Sequence, residues 1–204
     1  MRIPSKKSLG QHFLFDTKIR DSIVKAAQLK SHDLVLEIGP GKGFLTKELI
    51  KNCGEVIAVE IDDRLVEVLQ QVYSTSTNLK IVSGDVRYMD LNDLISEDTK
   101  YKVVANLPYY AAMPIIRRFL GSRHRPSMMV IMVQREVAQL MVAQPGDMGI
   151  VSVAIQLYGR PKIIAHVSPR SFRPQPKVTS TIVRIDPFDS PCLLYTSPSP
   201  RGRG

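Results

Sequence analysis

Apolar residues in this chain fall in short, nearly unbroken runs separated by segments of helical spacing. "LVLEIG" (34–39), "VIAVEI" (56–61), "LKIVSGD" (79–85), "YKVVANL" (101–107) and "SMMVIMVQ" (127–134) read as strands. Their apolar character is continuous rather than alternating, as expected where helices cover both faces of a sheet. Between them, "FLTKELIK", "DRLVEVLQQVY" and "MPIIRRFL" carry apolar residues three and four apart; Leu65, Val68, Leu69 and Val72 would share one face. Alternation of this kind implies βαβ units, right-handed crossovers and a mostly parallel sheet in an α/β fold. Ahead of it, "DTKIRDSIVKAAQL" reads as a helix capped by Asp16, with Ile19, Ile23 and Ala27 inward. Behind it, "GIVSVAIQLYG" reads as helical, and "KIIAHVS" with "STIVRI" as a closing antiparallel strand pair.

The length of 204 residues suits one domain and a tail. The last segment, "CLLYTSPSPRGRG" (192–204), has no periodicity and is crowded with Ser, Pro, Gly and Arg, so disorder is expected there. It also resembles translated adapter sequence, which would place an interruption of the natural chain near Pro191. No stretch approaches the ~18 apolar residues of a membrane span, and the basic start "MRIPSKKSLGQHF" lacks the apolar region of a secretory signal. Two cysteines, Cys53 and Cys192, make no disulfide framework, and no Cys/His cluster has metal-ligand spacing. A reducing cytoplasm, no membrane and no metal are the expectations.

Charge is divided unevenly. Residues 1–30 hold seven Lys/Arg and two Asp/Glu, net +5; residues 31–99 hold six and thirteen, net −7; residues 100–184 hold thirteen and two, net +11. An acidic middle between basic flanks suggests that the flanks meet phosphate, which points to a nucleic-acid partner; a basic surface kept only for solubility is the plainer reading.

"LEIGPGKGFLTKEL" puts Gly39, Gly41 and Gly43 where a strand turns into a helix. Glycines there let a ligand approach the backbone at the carboxyl edge of the sheet. The dinucleotide fingerprint fails, because its last glycine position is Phe44, and the P-loop fails because position 36 is Leu. Glu60 ends the second strand, where a carboxylate can accept from both ribose hydroxyls, and Asp85 ends the third, suited to an adenine amino proton. A glycine loop, a ribose acid and an adenine acid without phosphate spacing point to a nucleoside without phosphates, such as S-adenosylmethionine. A plain glycine-rich turn would also give so short a motif.

The fourth strand ends in "NLPYY". An adenine amino nitrogen is a poor nucleophile, because its lone pair is delocalised into the ring. The Asn106 side-chain oxygen and the Leu107 carbonyl could bond its two hydrogens, favour a tetrahedral nitrogen and aim the lone pair at a methyl donor. Pro108 would stiffen the turn so that both acceptors are preorganised, and Tyr109 could stack on a flipped base. A proline turn with buried tyrosines is the alternative.

"NLPYY", together with "SKKSLGQHFLFD", "EIGPGKGFLT", "VEID", "SGDV" and "SFRPQPKVTSTIVRI", resembles the ribosomal RNA adenine dimethyltransferase family over about residues 5–188, within it the bacterial small-subunit group. The resemblance implies a Rossmann-like class I S-adenosylmethionine-dependent methyltransferase fold. It implies dimethylation at N6 of two adjacent adenines near the 3′ end of 16S rRNA in a small-subunit precursor, by a monomeric enzyme. Cofactor contacts would come from His12 and Leu14, then Gly39, Gly41, Glu60, Ile61, Asp85, Val86 and Asn106. Phe172 would face Tyr109 across the target adenine. Arg117, Arg118, Arg123, Arg125, Arg170, Arg173 and Lys177 would hold RNA backbone. The family carries a small helical domain after the catalytic one, and here only the tail from residue 189 follows. Three other readings stay open: the sister group that methylates 23S rRNA and confers antibiotic resistance, a non-catalytic RNA-binding or transcription-factor relative, and a small-molecule N-methyltransferase.

Overall fold

The structure, a computed structural model, describes residues 4–6 and 9–189; the expected tail over 192–204 lies outside them. In chain order the elements are β1 (Phe13–Leu14), α1 (Thr17–Ala27), β2 (Leu34–Ile38), α2 (Thr46–Asn52), β3 (Glu55–Glu60), α3 (Asp63–Val72), β4 (Leu79–Ser83) and β5 (Tyr101–Asn106). Then come α4 (Ala112–Gly121), β6 (Met128–Gln134), α5 (Arg135–Met141), α6 (Ile150–Gln156), β7 (Gly159–Val167), β8 (Phe172–Arg173) and β9 (Ser180–Pro187).

Seven strands form one sheet in the order β4-β3-β2-β5-β6-β9-β7. The first five run parallel, and β9 pairs antiparallel with both β6 and β7. Successive residues of each central strand alternate between two cores. Leu34, Leu36 and Ile38 of β2, with Val103 of β5 and Ile131 of β6, face α4, α5 and α6. Val35, Val104 and Val130 face α1 and α2. Period-2 side-chain alternation thus buries both faces, which is why the runs read as continuously apolar. The edge strand β4 is only half-buried, consistent with its more polar sequence.

α1 starts where its cap demands: Asp16 accepts from the backbone N–H of Lys18 and Ile19, and its other oxygen accepts from the Ser171 hydroxyl at 2.9 Å. Ile23, Ala26 and Ala27 are buried there, and Ile19 half-buried. α3 differs from the expected face: Leu65, Val66 and Leu69 are buried, whereas Val72, the last residue of the helix, is 64% exposed. Two features have no counterpart in the sequence pattern. α5 follows β6 with no intervening turn, and the two-residue strands β1 and β8 pair Leu14 with Phe172.

Candidate active site

Strand order reverses between β2 and β5, so the chain leaves these neighbours in opposite directions and opens a crevice at their carboxyl ends. A cavity of about 600 Å³ lies there, in the size range of small-molecule sites. The loop after β2 brings Gly39 and Gly41 to its wall, the end of β3 brings Glu60 and Ile61, and the turn after β5 brings Asn106, Leu107, Pro108 and Tyr109. His12 and Leu14 cover it from the N-terminal segment, and Phe172 closes it from β8. Asp85 and Val86 do not join the lining. Val86 is packed in the core, and both oxygens of Asp85 bond the Arg87 guanidinium, at 2.5–3.0 Å. That pairing holds the Asp85 carboxyl below its ordinary range.

The glycine loop is tight for a reason. Gly41 and Gly43 have φ of +60° and +77°, and an added Cβ would lie 3.2 Å from the Phe13 ring at Gly41 and 2.8 Å from the Tyr73 ring at Gly43. The Gly41 N–H donates to Glu60 Oε2 at 2.9 Å and the Asp62 N–H to Glu60 Oε1 at 3.0 Å. Burial nonetheless pushes the Glu60 carboxyl up, with these N–H groups pulling against it.

At β5, the Asn106 amide nitrogen donates to the His12 carbonyl at 3.2 Å. Its amide oxygen and the Leu107 carbonyl take no hydrogen bond among the described residues. The Pro108 carbonyl, by contrast, accepts from the Ala111 N–H at 2.9 Å, which folds the turn into α4. The Tyr109 hydroxyl is tied to Ser180 Oγ at 2.9 Å, and burial raises its pKa. The ring stacked with Tyr109 is the His12 imidazole, at a centroid distance of 5.9 Å and 28° between planes. Phe172 lines the same cavity. It is buried beside Leu14, its β1–β8 partner, and forms part of the core beneath the cavity.

The covering segment is held from several sides. His12 Nδ1–H donates to the Pro174 carbonyl at 2.8 Å, and Gln11 donates to Asp62 at 3.0 Å. Lys6 and Arg64 also pair with Asp62, at 3.3 and 2.7 Å. These partners hold the Asp62 carboxyl far below its usual range. Asp62 is therefore a latch that sequence reasoning missed, although it follows the singled-out Glu60 by two residues.

Glu37 was missed as well. It sits inside the apolar run of β2, is 1% exposed, lines the cavity, and its Oε2 has no partner among the described residues. Burial pushes its carboxyl up to about 8; nearby Glu60 adds to the shift and Thr46 opposes it. An acid interrupting a buried strand was the available signal.

The basic residues divide. Arg117, Arg123, Arg170, Arg173 and Lys177 are exposed. Arg118 instead donates to the carbonyls of Arg87 and Met89, and Arg125 to those of Ser122 and Phe188. Arg123 and Arg125 stand just before β6, at the edge of the sheet opposite the cavity. Their guanidinium groups are thus removed from the cavity mouth. Among the described residues no group of His, Cys, Asp and Glu could hold a metal, and no helix is long and apolar enough to cross a membrane.

The family model for ribosomal RNA adenine dimethylase matches residues 3–195. Ribosomal RNA small subunit methyltransferase A of Dehalococcoides mccartyi is 44% identical over 181 residues, which cover 89% of this chain and 62% of that protein. The chain thus spans less than two thirds of that relative's length. Among solved structures, a dimethyladenosine transferase from Plasmodium falciparum superposes with TM-score 0.78 at 32% identity, covering 87% of this chain and 64% of the other. The 23S rRNA methyltransferase ErmE superposes with TM-score 0.79 at 28% identity, covering 89% and 72%. Together these likenesses bear out the class I methyltransferase fold.

Proposed function

The chain belongs to the ribosomal RNA adenine dimethylase family, and from that premise we propose that it transfers methyl groups from S-adenosylmethionine to N6 of adenines in small-subunit rRNA. The substrate in this reading is a pair of adjacent adenines near the 3′ end of 16S rRNA, each dimethylated within a small-subunit precursor. The setting is the cytoplasm, and the protein acts as a monomer through a catalytic domain over residues 1–188.

The residues present fit a sulfonium nucleoside. A cavity of about 600 Å³ accommodates it. Each Glu60 oxygen accepts one backbone N–H and keeps a further acceptor site for a ribose hydroxyl. The orphaned Glu37 Oε2 marks a buried polar atom awaiting a ligand group. His12, Leu14, Gly39, Gly41, Ile61 and Asn106 would complete the wall. Asp85 and Val86 remain candidates for the adenine end, and a contact from Asp85 would have to displace part of its bond to Arg87.

When bound, S-adenosylmethionine supplies an electrophilic methyl group on sulfur. The chain's own part rests on one observation: the Asn106 amide is fixed through its nitrogen to the His12 carbonyl, which leaves its oxygen and the neighbouring Leu107 carbonyl without a donor among the described residues. Two acceptors there would bond both N6 hydrogens of an adenine and turn its lone pair away from the ring. Pro108 keeps them preorganised, so little reorganisation remains for the reaction itself. Tyr109, anchored by Ser180, would stack on the flipped base, with Phe172 in the cavity wall on the base's other side. The amino group becomes more acidic once alkylated, so its proton leaves to solvent and no strong general base is required.

Likeness to ErmE supports the 23S alternative as a fold match, but the 44% relative is named for the small subunit, which favours the 16S reading. Asn106→Ala tests the mechanism. Methyl transfer to small-subunit RNA should be abolished while S-adenosylmethionine binding by calorimetry stays measurable; transfer at the wild-type rate would contradict the roles of Asn106 and Leu107 as paired acceptors.

A further inference from the structure

Beside the cavity mouth, three side chains form a stack that methyl transfer itself does not use. Arg87 lies with its guanidinium 5.3 Å from the Tyr88 ring and 5.6 Å from the Tyr110 ring. Tyr88 is 80% exposed and Tyr110 50%, the two most exposed tyrosines on the described surface. Both leave the carboxyl edge of the sheet, Tyr88 in the loop after β4 and Tyr110 directly after Tyr109. The Tyr110 ring is 3.7 Å from where a Cβ on Gly10 would stand, and Gly10 lines the cavity. The stack therefore continues outward from the place where a target base would sit.

Its chemistry narrows the occupant. Both Asp85 oxygens accept from the Nε–Nη2 edge of the Arg87 guanidinium, so the charge that would hold a phosphate is already paired with a carboxylate. Arg118 clamps the carbonyls of Arg87 and Met89, which fixes the loop beneath Tyr88. What remains on the outside is flat and polarisable: Arg87 covers one face of each phenol ring, and the rings are otherwise 80% and 50% exposed. An aromatic pair this exposed adds little to the core, whereas every nucleobase has a face that stacks on it.

We propose that Tyr110, Arg87 and Tyr88 form a stacking platform for an unpaired base next to the target adenine. The inference rests on the adenine-methylating reading. Extruding the target base removes the stacking partner of its neighbour, and the platform replaces it. Because bases of all four kinds stack, the platform sets the path of the strand and not its sequence.

Fluorescence anisotropy with a short, unpaired, end-labelled oligoadenylate tests this, using the wild-type chain, Tyr88→Ala, Tyr110→Ala and Tyr88→Phe. Each alanine variant should weaken RNA affinity roughly 5- to 100-fold. Tyr88→Phe should bind as the wild type does, since the ring and not the hydroxyl carries the contact. S-adenosylmethionine affinity should be unchanged in all three, which also reports an intact fold. An oligonucleotide with abasic sites flanking one adenine should erase the difference between wild type and Tyr88→Ala. Equal affinity of wild type and both alanine variants for the intact oligonucleotide would overturn the platform, whatever the methylation result. Tyr88-dependent binding without methylation of any adenine by the wild type would contradict the methyl-transfer reading and keep the stacking site.

Discussion

Glu37→Gln should flatten the dependence of stability on pH between about pH 5 and 8. The wild-type carboxyl titrates at about 8 in the fold, against an ordinary value of 4.5. Within that window the folded chain holds a proton on Glu37 and the unfolded chain does not, so wild-type stability falls as pH rises. Below about 4.5 both states are protonated, and above about 8 both are ionised, so the effect levels off at each end. At roughly 1.4 kcal/mol per pH unit, the contribution between pH 5 and 8 is about 4 kcal/mol. For a chain of this size that is roughly a 10 °C change in Tm. Glutamine keeps the shape and cannot titrate. Any cost of burying its amide is the same at both pH values and cancels from the difference, as do titrating groups that do not interact with Glu37; Glu60, whose charge adds to the Glu37 shift, stays inside the measured difference. Urea unfolding at pH 5 and pH 8 for both chains is the assay, with the variant gaining on the wild type as pH rises. Parallel pH profiles, or a variant that loses ground at pH 8, would refute a protonated Glu37 under the cavity.

Glu60→Ala should weaken S-adenosylmethionine binding by calorimetry before it affects RNA affinity, because the carboxylate holds the Gly41 N–H and faces the cavity, not the basic surface. Gly43→Ala should lower the melting temperature and the cofactor affinity together, since its Cβ would meet Tyr73 and Leu69 inside 3 Å at a φ of +77°. Phe119→Ala, a fully buried ring on α4, should cost about 3–5 kcal/mol in urea unfolding while cofactor binding at low temperature persists.

The parallel core was readable because burial on both faces leaves an unmistakable run of apolar residues, and β2, β3, β5 and β6 lie within a residue of the expected spans. α5 was not, because no turn residue separates Gln134 from Arg135 and a helix of seven residues shows too few periods to stand out. β1 and β8, two residues each, carry no pattern at all, yet they bring His12 and Phe172 to the cavity. Most of the candidate site followed from residues at strand ends, where topology alone places them. What escaped depends on side-chain pairing across the fold: the His12–Tyr109 stack, the Asp62 latch, and the removal of Arg118 and Arg125 to loop carbonyls. Arg87, two residues after Asp85, was legible as a neighbour but not as the partner that occupies both of its oxygens.

Mass mapping of methylated nucleosides shows which adenines, if any, this chain methylates. The chain would be incubated with labelled S-adenosylmethionine and small ribosomal subunits lacking this modification, with large-subunit RNA alongside. N6,N6-dimethyladenosine at adjacent positions near the 3′ end of the small-subunit RNA is the expected product. Label confined to large-subunit RNA, or cofactor binding with no labelled adenine in either RNA, would contradict the 16S reading.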